Sequence, residues 1–167
     1  CDPVIMNALY DASKAGVKIE LIVRGICCIK AGVPGLSDNI SVRSIVGNYL
    51  EHSRIFYFYN DGFEDIYMGS ADWMPRNLDK RVEITFPVED PELKKKIKNI
   101  LKIQLEDTLK AHIMQPDGSY AKQDLRGKAK LDSQMYFVKL AQESQKPVKE
   151  EDNDRVFIPV ESHGDNE

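Results

Sequence analysis

Several things are scarce or missing in this sequence, and each absence removes a class of protein. No run approaches the roughly 18 apolar residues that a membrane span needs, so nothing reads as a transmembrane helix. The three cysteines, Cys1 and the adjacent Cys27 and Cys28, are an odd number that makes no closed disulfide framework, and a reducing, cytoplasmic setting is the expectation. They lack CxxC spacing and a neighbouring histidine, which argues against a zinc site; Cys27 and Cys28 read as packing residues at a strand end. Positive charge is not in excess: the formal net charge is -4 and the pI near 5.5, so general affinity for nucleic acid is not expected. There is no G-x-x-x-x-G-K-[ST] loop, which excludes a P-loop kinase on motif grounds, and no G-x-G-x-x-G after a strand, so the sequence gives no location for adenine recognition. Cys1-Asp2-Pro3-Val4 offers neither an initiator Met nor the basic and apolar regions of a signal peptide. The chain is therefore expected to be a piece of a longer polypeptide.

What remains is a composition suited to one folded domain with a tail. The 167 residues are 42% hydrophobic and 30% charged, with mean hydropathy -0.42, values of a soluble globular protein. The positive charge is segregated by type. Five of the seven arginines (Arg24, Arg43, Arg54, Arg76 and Arg81) fall between residues 24 and 81, where Lys30 and Lys80 are the only lysines. Lysine wets a surface, whereas arginine presents a planar fork that grips carboxylate or phosphate through two hydrogen bonds. The middle of the chain therefore reads as an anion site.

Periodicity gives an α/β order. Asp2-Pro3 and the spacing of Val4, Ile5, Ala8, Leu9 and Ala12 predict a helix over 3–15 that stops at Gly16. Alternation then predicts strands over 17–23, 40–46, 54–59 and 65–70, with a turn or short helix at 47–51 and a turn at Asn60-Asp61-Gly62. Residues 71–80 read as a loop and 81–88 as a further strand. Strands following one another without long helices between them predict a mixed β-sheet flanked by helices. Asp90-Pro91 opens an amphipathic helix with a lysine-rich outer face, 111–123 suggest a hairpin about Asp117-Gly118, and a last helix is expected over 131–143. Residues 146–167 hold seven acidic and three basic residues and read as a flexible acidic tail, with Val156-Phe157-Ile158 as its docking segment.

Of three histidines, His163 lies in that tail and His112 follows the lysine-rich helix. His52 stands apart, two residues before Arg54 at the mouth of a strand, so extended backbone brings both side chains out on one side. Spacing alone leaves His52 open between a loop histidine and a group that moves a proton or attacks phosphorus. Gly69-Ser70-Ala71-Asp72-Trp73-Met74-Pro75-Arg76-Asn77 is equally open. Its small residues would let a ligand approach the backbone, with Arg76 holding an anion, or it is a turn anchored by the single tryptophan.

Taken in order, Val23-Arg24-Gly25-Ile26-Cys27-Cys28, Gly32-Val33-Pro34-Gly35-Leu36-Ser37, Ser44-Ile45-Val46-Gly47, Leu50-Glu51-His52-Ser53-Arg54 and the run from Gly69 to Asp79 with Arg81 resemble the C-terminal catalytic domain of polyphosphate kinase. The resemblance covers roughly residues 1–143 and implies a phospholipase-D-like domain, here 1–145, followed by the tail. It implies reversible transfer of the terminal phosphate of ATP to inorganic polyphosphate through a phosphohistidine on a preceding domain, with magnesium held by ligands outside this chain. His52 matches the assisting histidine. Arg24 and Arg81 match residues that line the phosphate site, to which the arginine pattern adds Arg54 and Arg76. The implied partners are ATP or ADP, polyphosphate and upstream domains of the same polypeptide. Members of the family are oligomers, often at the membrane periphery. By itself this chain is expected to be half an active site and inactive.

Against the H-x-K-x4-D pattern of phospholipase D, the chain has Arg54 for Lys and Tyr59 for Asp, although Gly69-Ser70 is similar to the G-S that follows. That departure speaks against phosphodiester hydrolysis, while arginine still supplies charge for phosphoryl transfer. A phosphodiesterase or nuclease pairing His52 across a homodimer and a non-catalytic polyanion-binding module are the competing readings.

Overall fold

The computed structural model describes residues 2–145. The predicted acidic tail, 146–167, lies outside the described residues. Helix α1 (Pro3–Lys14) begins where Asp2-Pro3 predicts: the Asp2 carboxylate accepts from the Val4 and Ile5 amides at 3.0 Å each, filling donors that a helix start leaves open. Gly16, at φ +90, turns the chain out of it. The strands are β1 (Ile19–Ile22), β2 (Ile40–Ile45), β3 (Ile55–Phe58), β4 (Asp65–Gly69), β5 (Thr85–Pro87), β6 (Ala111–Met114) and β7 (Tyr120–Lys122), and the further helices are α2 (Pro75–Lys80), α3 (Pro91–Leu105) and α4 (Ser133–Ser144).

A mixed sheet flanked by helices is present, but the strands divide into two sheets rather than one. The larger has the order β1-β2-β6-β7, with β1 and β2 parallel and the other neighbours antiparallel. The smaller, β3-β4-β5, is wholly antiparallel. The division falls at residues 46–54, where the chain leaves β2 and starts a new ladder. Helix α1 packs Met6, Leu9 and Tyr10 on the larger sheet around Ile40 and Val42. Helix α3 packs Ile97 and Leu101 beneath Ile66 of the smaller one.

Three further expectations change. The supposed loop 71–80 contains α2, because Pro75 sits at the first helical position with its φ already set. The supposed strand 81–88 shrinks to Thr85–Pro87. Its partner β4 ends at Gly69, opposite Thr85, and beyond the Ser70 amide bonded to the Ile84 carbonyl at 3.0 Å no ladder is left for residues 81–83. Of the adjacent cysteines, Cys27 packs against the larger core while Cys28 is exposed; both lie in irregular chain after β1, so packing describes only the first and a strand end neither.

Candidate active site

The ends of the two sheets meet through one carboxylate. After β1 the Val23 amide still bonds to the Arg43 carbonyl at 2.8 Å, and this last rung fixes the point from which Arg24 departs. Arg54 precedes β3, its carbonyl accepting from the Gly69 amide at 3.1 Å. Asp72 lies just past β4. Its Oδ1 accepts from Arg54 Nε at 3.1 Å, and both its oxygens stand 3.4 Å from Arg24 NH2. All three distances exceed the roughly 2.7–2.9 Å of a tight charged hydrogen bond, and Arg54 is held more closely than Arg24. Partial burial pulls the Asp72 carboxyl up, but the hydrogen bond and charge of Arg54 with the charge of Arg24 outweigh it, and its pKa is lowered overall.

Arg54 also reaches back to His52. Its NH1 lies 2.9 Å from His52 Nδ1 and donates to the His52 carbonyl at 3.0 Å. The same NH1 lies 3.4 Å from His52 Nε2, so the guanidinium, which only donates, faces both ring nitrogens. The ring is exposed at the rim of the site. Arg24, Arg54 and His52 are thus one array, joined by Asp72.

Arg76 and Arg81 form a second group. With Pro75, Asp79 and Lys80 they line an open depression of about 460 Å³ along α2. Arg81 stands 3.9 Å from Glu83. The groups are connected through backbone, since Asn77 of α2, itself buried, donates Nδ2–H to the Asp72 carbonyl at 3.3 Å.

The small residues after β4 serve the fold more than a ligand. A Cβ on Gly69 would stand 3.0 Å from the Ile84 carbonyl and from Thr85 Oγ1, and the Ser70 hydroxyl bonds to Glu83 while accepting from the Ile84 amide at 3.0 Å. Trp73 stacks on Phe56 with centroids 5.0 Å apart and planes 6° from parallel. Sequence reasoning passed over Asp72, one of several acids between Arg24 and Arg81 that nothing local sets apart. Among the described residues no group of three or more His, Cys, Asp or Glu is placed to hold a metal, and Asp72 is already engaged by two guanidinium groups. The described residues of this site do not fit a magnesium ion. No helix among them is long and apolar enough to cross a membrane.

Comparison with known proteins decides the family. The family model described as polyphosphate kinase C-terminal domain 2 matches residues 1–134. The chain belongs to the polyphosphate kinase family. It is 52% identical over 145 residues to a polyphosphate kinase of Lactiplantibacillus plantarum, covering 87% of this chain and 20% of that protein. With polyphosphate kinase 1 of Chlorobaculum tepidum the identity is 55% over 139 residues, 83% of this chain and 20% of the relative. The crystal structure of the Porphyromonas gingivalis polyphosphate kinase superposes with a TM-score of 0.80 at 41% identity, over 86% of this chain and 22% of that one. The expected α/β, phospholipase-D-like class thus holds for this polyphosphate kinase domain, which spans about a fifth of the relatives it matches.

Proposed function

We propose that this domain supplies the phosphate-gripping and proton-moving half of an ATP:polyphosphate phosphotransferase site. Arg24 and Arg54 hold phosphate oxygens, His52 assists the transfer as acid or base, and Arg76 and Arg81 guide the polyanion along α2. The phosphohistidine that carries the phosphate belongs, in this reading, to a preceding domain, and magnesium enters with the nucleotide on ligands outside this chain. The chain alone is then inactive, and its partners are ATP or ADP, polyphosphate and the upstream domains of an oligomeric enzyme.

The supporting observation is the array Arg24, Asp72, Arg54 and His52. Phosphoryl transfer asks a protein mainly for positioning and for charge against the equatorial oxygens. Arg24 engages Asp72 through a single nitrogen, which keeps the rest of its fork for an anion. The Arg54 guanidinium, bonded to Asp72, orients His52 through its ring and its carbonyl.

In the full-length protein His52→Ala is expected to lower phosphotransfer by about 10²–10⁴-fold. Arg24→Ala should weaken salt-sensitive binding of short-chain polyphosphate by more than tenfold, about 1.4 kcal/mol, in a calorimetric titration. Unchanged turnover with His52→Ala would move the domain to the class of polyanion-binding modules. Hydrolysis of a phosphodiester model substrate would favour the nuclease reading.

A further inference from the structure

The segment that carries His52, residues 46–54, belongs to neither sheet, and its apolar side chains Val46, Tyr49 and Leu50 are exposed. Apolar packing does little to hold it. Two glutamines from helices remote in sequence hold it instead. Gln134, the second residue of α4 and only 5% exposed, donates from Nε2 to the Tyr49 carbonyl at 2.8 Å and to Glu51 Oε1 at 2.7 Å. Its Oε1 accepts from the Tyr49 amide at 3.0 Å. Gln104, near the end of α3 and also buried, donates Nε2–H to the other Glu51 oxygen at 3.0 Å.

A primary amide has two N–H donors and one carbonyl, and Gln134 engages all three with this loop. It treats the Tyr49 backbone as a neighbouring strand would, exchanging a bond in each direction. The fit is close, because a Cβ on Gly47 would stand 2.2 Å from Gln134 Oε1. Glu51, secured at both oxygens, is the residue next to His52. Burying polar groups is costly unless every group is bonded, and an apolar residue would fill the space under the loop without that cost. The amides are instead used to set the course of the backbone that leads to His52 and Arg54.

We propose that Gln134, acting with Gln104 through Glu51, is a positioning residue that fixes His52 for phosphoryl transfer. This rests on the role assigned to His52 above. Reacting groups must be held to within a fraction of an ångström, and a displacement of about 1 Å caused at a distance can cost about 10²-fold in rate.

The test uses the full-length protein. Gln134→Leu keeps most of the volume and removes the three hydrogen bonds. Turnover should fall by about 10²-fold with the KM for ATP little changed, and hydrogen exchange should rise in peptides covering 46–52 but not in those covering β1 and β2. In a His52→Ala background the same substitution should cost nothing more, since it acts through that histidine. Gly47→Ala, in the exposed loop, offers a second route to the same displacement. Alone it should lower turnover, and over Gln134→Ala, where the clash is gone, it should add nothing. Wild-type turnover in Gln134→Leu and in Gly47→Ala overturns the proposal, as does exchange that rises equally through α4 and β6, or a full further loss in the His52→Ala background. Wild-type turnover in His52→Ala alone overturns the reading of His52, and the proposal with it.

Discussion

Val42 of the larger sheet and Ile66 of the smaller are each 1% exposed, but what surrounds them differs. Around Val42 a helix, the parallel strand β1 and the irregular segment holding Ile29 and Ala31 close a continuous core. Around Ile66 the buried apolar partners among the described residues are Val88 and Ile97, with Ile55, Met68 and Leu101 partly buried beside them, and Tyr57, Phe58 and Phe86 of the same sheet are exposed. Local stability follows burial and contact density, so the smaller sheet is expected to open first. It is also the part that carries Arg54 and Asp72. The site is therefore assembled where a rigid frame, ending in Arg24, meets a more weakly held ladder, and Asp72 is the joint between them.

The largest effect should come from the smaller core itself. Ile66→Ala removes the side chain at its centre and is expected to cost about 2–5 kcal/mol by denaturant unfolding. Because few partners remain, the damage should be local, with hydrogen exchange rising across β3 and β4 while β1 and β2 keep their protection. Ile40→Ala, a deletion of the same size in the larger core, should loosen the whole domain. If exchange rises equally in both sheets for Ile66→Ala, the two ladders open as one unit and the contrast between them is lost.

A smaller effect is expected at the joint. The Asp72 carboxyl titrates below its ordinary value because Arg54 and Arg24 together outweigh the effect of burial. A group whose folded pKa is lowered adds stability that is complete above its unfolded value, about 3.9 for an aspartate, and that is lost as pH falls through the folded value. Asp72→Asn should thus be less stable than wild type at neutral pH, by at most about 1 kcal/mol for so accessible a pair. The gap between the two should close as the pH drops below about 4. A gap that stays constant down to low pH would mean that the aspartate contributes through packing, and that charge does not join the sheets.

The fold was legible wherever local chemistry decided it. Asp2-Pro3 and Asp90-Pro91 announce both of their helices, and Asp117-Gly118 announces the hairpin, because caps and turns are written within a few residues. Partition of strands into two sheets was not legible, since Ile40–Ile45 and Ile55–Phe58 alternate alike and only tertiary pairing separates them. At the site, arginine clustering and the spacing of His52 to Arg54 pointed to the right region. Asp72 was missed because its meaning comes from meeting Arg24, 48 residues away. Gln134 was missed because its partners lie 83 and 85 residues before it. Conversely Gly69, open to reading as a ligand contact, is required by the approach of β5.

The smallest effect should come from the rim of the weaker sheet. Val82 is 101% exposed and lies beyond the last rung of the β4–β5 ladder, so its side chain has no burial to lose. Val82→Ser should change stability by no more than about 0.5 kcal/mol in either direction, against the multi-kilocalorie loss at Ile66 inside the sheet. Ile66 sits inside the ladder under α3 and Val82 just outside its end, so the pair contrasts full burial with none at one edge of the same unit. Ile84 and Phe86 follow at alternate positions and are also exposed, which extends the same expectation along the edge. A loss at Val82 approaching that at Ile66 would show that the edge is covered in solution, and the smaller sheet would then be as closed as the larger.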